Sequence, residues 1–431
     1  MRLLILSHAH PELATGGAQL MAHQLHAELV AGHGVDSYFV AWAPSGKTRL
    51  ATFSSQGGDG REILFHGGPL HPLLFSQESS WLVTHDFREL LDRIKPDVVH
   101  FHHFAGLGVD LMRETRNWSK RIPMVLTLHE FLAICHNKGT MTKANDPGVL
   151  CHRSSPRACA ECFPDVTPED FFLRRLFLKS HFDLVDQFVA PSHFLKKRYV
   201  DWGIPEEKIE VAENGQPPPA RHPNRRDGTN MHFAFVGKVF RIKGIFVLLD
   251  AIELLSPDVR QRCEFSIYGN GIEEESYGER AMYDARLAGM RDSVRAYGWY
   301  RAEEVGKILS NVDFTVVPSI WWENSPLVIQ ESFACGVPVI CSDIGGMAEK
   351  VRDGIDGIHF RVNDPRDLAR AITTAVTTKG LHEKLAGGIQ PPPTVAETAK
   401  WHLALYDRLL GRRTGANPSP NRPVFFAKNS T

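Results

Sequence analysis

The sequence carries almost no net charge. Its 49 lysines and arginines nearly balance 50 aspartates and glutamates, leaving a formal charge of -1 at pH 7. No global basic field draws a nucleic acid, so any anionic ligand must be met by local lysines and backbone amides. Long apolar runs are missing too, and no stretch reaches the length of a membrane-spanning helix. The N-terminal MRLLILSHAHP lacks a small-residue cleavage site and reads as a first buried strand, not a secretion signal. Without such a signal the seven cysteines are expected to stay reduced. A cytoplasmic protein is expected, with peripheral contact to the inner face of a membrane as an option. Also absent are the Walker pattern, His-Glu-x-x-His and Gly-x-Ser-x-Gly.

What is present is chain enough for two domains: 431 residues, 43% hydrophobic and 23% charged. The most informative stretch is 313–351. It alternates a buried strand over 313–318, a helix over 326–334, a second strand over 338–342 and a helix from Met347. Ser325 offers an N-cap hydroxyl, and Pro326 suits the first helical position. Glu323 lies just before this helix, and Glu331 lies inside it, roughly 7–9 Å from its start. The free amides at that start favour an anion such as phosphate. Carboxylates repel phosphate but suit hydroxyl groups on either side of it. A diphosphate flanked by two sugars has that form, which is a nucleotide sugar.

Glu323, seven residues, then Glu331, followed by Ser332-Phe333-Ala334-Cys335-Gly336-Val337-Pro338-Val339-Ile340, resembles the Glu-x7-Glu signature of retaining glycosyltransferases of family 4. The resemblance covers nearly the whole chain and is strongest from Phe233 to Asp364. It implies an α/β fold of the GT-B type, two Rossmann-like domains facing across a cleft, with the donor bound mainly by the second and the acceptor by the first. It implies that Glu331 holds ribose hydroxyls and Glu323 holds hydroxyls of the transferred sugar. Asn324, Ser325, Pro326 and Leu327 would then lie near the phosphates. Gly237-Lys238-Val239-Phe240-Arg241-Ile242-Lys243-Gly244 resembles the family's Gly-Arg-x4-Lys-Gly clamp, with Lys238 where arginine is usual. Lysine keeps the charge and loses the bidentate fork. Lys238 and Lys243 would offset the diphosphate charge as the leaving group departs. Gly269-Asn270-Gly271 resembles the family's nucleotide-side turn, and Gly298-Trp299-Tyr300 is expected to border the base. No aspartates are spaced D-x-D, which favours transfer without a catalytic metal.

In the first half, Gly16-Gly17-Ala18-Gln19 lies between a strand over 2–7 and a helix over 18–31. It resembles the family's Gly-Gly loop near donor phosphates and acceptor; an ordinary turn is the alternative. A strand over 123–128 ends in His129-Glu130, similar to the family's His-Asp or His-Glu step. That implies contact of His129 with the donor sugar, a core histidine being the alternative. His100, His102 and His103 follow closely on a strand over 98–101, and one or two of them are expected to line the cleft. The segment 43–80 holds one expected strand, over 62–65, and no functional reading. A helix over 170–182 is expected to present Arg174, Arg175 and Lys179 on a basic face.

Phe131-Leu132-Ala133-Ile134-Cys135 resembles a subset of the family with a cysteine-bearing insertion, here about 131–165. The C-x2-C of Cys159 and Cys162 is a chelate spacing, and with Cys135 and Cys151 it suits a structural zinc, His136 or His152 standing in for a cysteine. Four reduced cysteines packing a loop, or redox pairing of Cys159 with Cys162, are the alternatives.

The domain organisation expected is 1–213, a linker over 214–230, a second domain over 231–393, a helix over 394–410 returning to the first domain, and a disordered tail over 411–431. The function expected is retaining transfer of a sugar from a nucleotide-diphosphate sugar to a saccharide, lipid-linked or small-molecule acceptor. A nucleotide-sugar epimerase and a non-catalytic nucleotide-sugar-binding protein are the alternatives.

Overall fold

The computed structural model describes residues 1–14, 16–43, 51–78, 80–217, 230–272 and 276–411. The expected tail lies outside these residues from 412, and the expected linker from 218 to 229. In chain order the strands are β1 (Arg2–Ser7), β2 (Asp36–Trp42), β3 (Phe53–Gln56), β4 (Glu62–Phe65), β5 (Val98–Phe101), β6 (Met124–Thr127), β7 (Thr142–Lys143), β8 (Asp146–Leu150), β9 (Gln187–Ala190) and β10 (Ile209–Val211). The second half adds β11 (Met231–Val236), β12 (Cys263–Tyr268), β13 (Val294–Gly298), β14 (Phe314–Val317), β15 (Val339–Ser342) and β16 (Gly357–Phe360).

All but β7 and β8 form an eight-stranded sheet, ordered β10-β9-β6-β5-β1-β2-β4-β3, and a six-stranded sheet, ordered β13-β12-β11-β14-β15-β16. Neighbouring strands are parallel except β3 against β4. Central strands such as Leu3-Leu4-Ile5-Leu6 and Phe233-Ala234-Phe235-Val236 are buried along their length. Parallel sheets with helices on both faces require such continuous apolar runs. The strand order reverses between β1 and β5 in the first sheet and between β11 and β14 in the second. Loops diverge at such reversals and leave a crevice beyond the carboxyl ends of the strands.

Several elements differ from expectation. Residues 137–150 hold the hairpin β7–β8, and Asp110–Trp118 and Leu381–Gly388 are helices. Arg174 does not belong to an exposed basic face. It is 3% exposed and donates to the carbonyls of Leu132 and Ala133, which packing against the 131–135 turn leaves otherwise unmatched.

The chain passes between the two sheets twice, and the described part of the first passage meets the second at Gln216. Gln216 forms a parallel bridge with Thr394. Its N–H donates to Pro393 O at 2.8 Å, and Val395 N–H donates to Gln216 O at 3.1 Å. Gly215 permits this approach, since a Cβ there would lie 2.7 Å from Thr394 O and Val395 Cα. Thr394 and Glu397 then form a capping box that starts the helix Val395–Leu409. This helix packs on the helix Gly17–Ala31, burying Ala399, Leu405 and Tyr406 with Leu3, Ile5, Leu25 and Leu29.

Tyr406 also reaches beneath the first sheet. Its hydroxyl lies 2.7 Å from His100 Nδ1, and His100 Nε2 lies 2.7 Å from Thr127 Oγ1. His100 is fully buried. Tyr406→Phe leaves one imidazole nitrogen without a partner, and is expected to cost about 1–3 kcal/mol. Thermal unfolding of the variant checks this; an unchanged Tm contradicts it.

Candidate functional site

The loops after β11 and β14 form one wall at the second crevice. Lys238 follows β11 after Gly237 and is exposed, its ammonium 5.3 Å over the Phe240 ring. Lys243 closes a short 3-10 turn, Arg241–Lys243. Its Nζ donates to Glu323 Oε1 at 2.6 Å and lies 5.0 Å over the Trp321 ring. Ser319 Oγ and Trp321 Nε1 each donate to the same Oε1 at 2.9 Å. Glu323 is buried, and these donors replace the water it has lost. Two residues expected to hold separate parts of a ligand are therefore bonded to one another.

The helix after this loop begins one residue later than the sequence suggests. Pro326 is the N-cap, with φ -61° and ψ 119°, and the helix runs Leu327–Ala334. Ile329 N–H bonds to Pro326 O at 3.1 Å, so proline supplies the first helical acceptor. Ser325 is not the cap. A residue before proline is pushed out of the helical region, and the Ser325 hydroxyl and the Asn324 side-chain carbonyl are buried without hydrogen-bond partners. Both belong to the residues just before the helix start and are unused polar groups. Glu331 sits in this helix, and burial pushes its carboxyl up to about 7. It in turn helps raise the Tyr300 phenol, which burial alone already disfavours from ionising. Gly269, after β12, lies against the β11 loop; an added Cβ would stand 1.8 Å from Gly237 O.

The facing wall is made of histidines. His8 follows β1, His102 and His103 follow β5, and His129 follows β6, three neighbouring strands of the first sheet. His102 Nδ1 lies 3.2 Å from His129 Nε2, and their rings stack at 5.4 Å. His8 and His103 rings lie 4.5 Å apart. His103 Nδ1 accepts from the N–H groups of Phe104 and Ala105 at 3.0 and 2.9 Å, so its proton sits on Nε2, 3.3 Å from Glu130 Oε1. Burial, reinforced by neighbouring histidines, pushes His8 down to about 2 and His129 to about 3. Burial likewise holds His102 well below the usual imidazole range, so His8, His102 and His129 are neutral.

The walls meet. Asn324 Nδ2 donates to His129 O at 2.7 Å, and Trp322 Nε1 donates to Cys151 O at 3.2 Å. A Cβ on Gly17 would stand 3.0 Å from Leu327 Cδ1, so the Gly16-Gly17 loop touches the start of the opposing helix. Glu349 accepts from the N–H groups of His193 and Phe194 at 2.8 and 2.6 Å, capping a first-domain helix from the second domain. Gln330 donates to Glu213 Oε1 at 2.6 Å, and Lys350 pairs with the same carboxylate.

Cys135, Cys151, Cys159 and Cys162 share one neighbourhood beside this cleft. Cys135 is buried, and Cys159 and Cys162 lie on the helix Pro156–Cys162. Burial pushes the Cys135 thiol up to about 11, with Cys151 and Cys159 adding to the effect. Among the described residues, the group of three or more metal-ligating atoms lying within 4.8 Å of one another is His10, His23 and Glu62, not a cysteine set. Sequence reasoning passed over Ser319, His8 and Glu349. Ser319 and Trp321 both precede Glu323 in SIWWE, and a serine and a carboxylate in that otherwise apolar run could have marked the first.

Glu323→Ala strands the Lys243 ammonium, the Ser319 hydroxyl and the Trp321 N–H. A loss of about 1–3 kcal/mol is expected, with a smaller loss in Glu323→Gln, which keeps an acceptor. Parallel thermal melts of both variants check this, and equal melting of Glu323→Ala and the parent contradicts it.

Two family models match: Glycosyltransferase Family 4 over residues 15–217 and Glycosyl transferases group 1 over residues 218–387. A D-inositol 3-phosphate glycosyltransferase of Streptosporangium roseum is 28% identical over 309 residues, covering 68% of this chain and 64% of the relative. A protein of the same name from Thermomonospora curvata is 33% identical over 200 residues, 43% of each chain. The match thus spans less than two thirds of these relatives' lengths. Among solved structures, sucrose-phosphate synthase from Thermosynechococcus elongatus superposes with TM-score 0.69 at 17% identity, covering 95% of this chain and all of that one. Anabaena HepE in complex with UDP gives 0.66 at 16% identity, covering 95% and 100%. The fold is GT-B, and the chain belongs to the family 4 glycosyltransferases.

Proposed function

We propose that this protein transfers a sugar from a nucleotide-diphosphate sugar to a hydroxyl acceptor, with retention at the anomeric carbon. The observation that carries the reading is the meeting of the two crevices. The Gly16-Gly17 loop and His129 touch the Asn324–Leu327 segment, with Lys243 and Glu323 beside it. A donor diphosphate would lie along that seam, against the unused Ser325 hydroxyl and the amides at the start of the helix. Lys238 and Lys243 supply counter-charge to the leaving phosphate. Glu331 holds the ribose hydroxyls and Glu323 those of the transferred sugar.

The acceptor enters from the histidine side. His129 is neutral there, so it orients sugar hydroxyls by hydrogen bonding and adds no charge. Departure of the phosphate builds positive charge on the sugar ring, and the phosphate oxygen takes the acceptor proton from the same face. No side-chain base is required. The absence of a D-x-D pair supports doing this without a catalytic metal. UDP-sugars come first for testing, because HepE has been crystallised with UDP and with UDP-glucose. Phosphorylated polyols come first as acceptors, from the relatives' names.

The purified protein, offered a panel of UDP-, GDP-, ADP- and TDP-sugars, is expected to release nucleotide slowly from one of them. Lys243→Ala should lower that turnover by about 10²–10³-fold, and Glu331→Ala should lose most of it. Full turnover in either variant removes these assignments.

Donor affinity should also depend on pH. Ribose hydroxyls need the ionised form of Glu331, whose carboxyl titrates at about 7. The donor Kd should therefore rise as pH falls through that value, about tenfold per unit once below it. Glu331→Gln should flatten the profile. A pH-independent Kd in the parent protein contradicts the ribose assignment.

A further inference from the structure

A second cluster of ligating side chains lies beyond the donor seam, on the helix-covered face of the first sheet. His10 sits in the loop after β1, His23 in the helix Gly17–Ala31, and Glu62 at the start of β4. His10 Nε2 lies 2.9 Å from Glu62 Oε2, and His23 Nε2 lies 2.9 Å from Glu62 Oε1. The three ligand atoms fall within 4.8 Å of one another. We propose that His10, His23 and Glu62 form a binding site for a divalent transition-metal ion, zinc foremost, with water completing the coordination.

The donor set argues for this. Two imidazole nitrogens and one carboxylate are a recurrent zinc-ligand combination that leaves a fourth position open. The rings are held in place before any ion arrives. Phe39 packs edge-on against His10 and His23, with centroids 5.9 and 5.3 Å away. His26, one turn further along the helix, is tied instead to Ser37 Oγ at 2.9 Å and stays out of the set. An ion needs the Nε2 lone pair of each ring, so the proton must sit on Nδ1. Without an ion, His10 Nδ1 accepts from the Glu12 N–H at 3.3 Å, so loading would move the His10 proton from Nε2 to Nδ1 and turn Nδ1 toward Glu12 Oε2, now 4.0 Å away. A carboxylate behind a histidine ligand fixes its tautomer and raises its basicity. Access also exists: His10 is buried, but His23 and Glu62 are each 27% exposed at the side chain. Loading replaces the two 2.9 Å hydrogen bonds to Glu62 with bonds to the ion, at metal–nitrogen distances of about 2.0–2.1 Å.

The ion would act as a clasp. The loop that leaves His10 reaches Gly16-Gly17, and its first turn already closes on His10, whose carbonyl accepts from the N–H groups of Leu13 and Ala14 at 2.9 and 3.0 Å. Binding would tie this loop to the helix and to β4, and so fix the approach to the opposing Leu327.

The test uses the full chain, stripped by chelation and titrated with Zn²⁺ and, separately, Co²⁺. Bound metal, the absorption spectrum and the Tm are read together. Expected are a bound equivalent that raises Tm, a cobalt spectrum without thiolate charge transfer for that equivalent, and at least about tenfold weaker binding in His23→Gln and Glu62→Gln. A second equivalent with a thiolate band, removed by Cys159→Ser, would belong to the cysteines and leave the first intact. The proposal is overturned by no binding, by binding that both variants retain in full, or by binding whose entire signal is thiolate. Should either variant fail to fold, the parent protein's cobalt spectrum still decides.

Discussion

Glu323 is a carboxylate taken out of water, and its surroundings are arranged to hold it there. One oxygen gathers a lysine, a serine hydroxyl and an indole N–H. Through Lys243 this fixes the loop after β11 to the loop after β14, across the point where the strand order reverses. The backbone continues the chain of constraint, since Glu323 O accepts from Gly346 N–H at 2.7 Å. Gly346 opens the helix Gly345–Lys350, and Glu349 of that helix caps His193–Trp202 in the other domain. A single desolvated charge is thus connected, bond by bond, to the contact between the domains. Charge-assisted bonds are the strong members of such a network, and their loss is felt beyond the residues that make them.

The two walls of the cleft differ in electrical character. The second-domain wall holds cations and carboxylates in a partly desolvated setting. The opposite wall offers stacked imidazoles held neutral by burial. Under the proposed transfer, such a division would let charge change on one side of the sugar while neutral imidazoles on the other supply hydrogen bonds.

Much of the second domain was legible in the sequence because its signals are local. The apolar runs 313–318 and 338–342 became β14 and β15 within a residue of expectation. The start of the helix at Leu327 was misread because proline fits either the N-cap or the first turn, and only the observed ψ separates the two. In the first half the site depends on neighbours far apart in the chain. Nothing near Glu62 or His23 announces that they meet, because parallel pairing of β2 with β4 brings them together. Arg174 failed for a related reason: a basic residue on a helix is expected outward unless a carbonyl pair waits inside. Ser319 and Lys243 reveal their shared carboxylate only once the two loops are placed side by side.

The paired passages at Gln216 and Thr394 bear on how the domains can move. A single connecting strand is a swivel, free to twist as well as bend. Two strands joined by Gln216 N–H to Pro393 O and Val395 N–H to Gln216 O resist twisting, because rotation about either one shears those bonds. The remaining freedom is bending across the pair, as in a door on two leaves, and Gly215 sits at its tightest point. Opening along one axis would return the same faces to register on every closure, so the Gly16-Gly17 loop would meet Leu327 without a search over orientations.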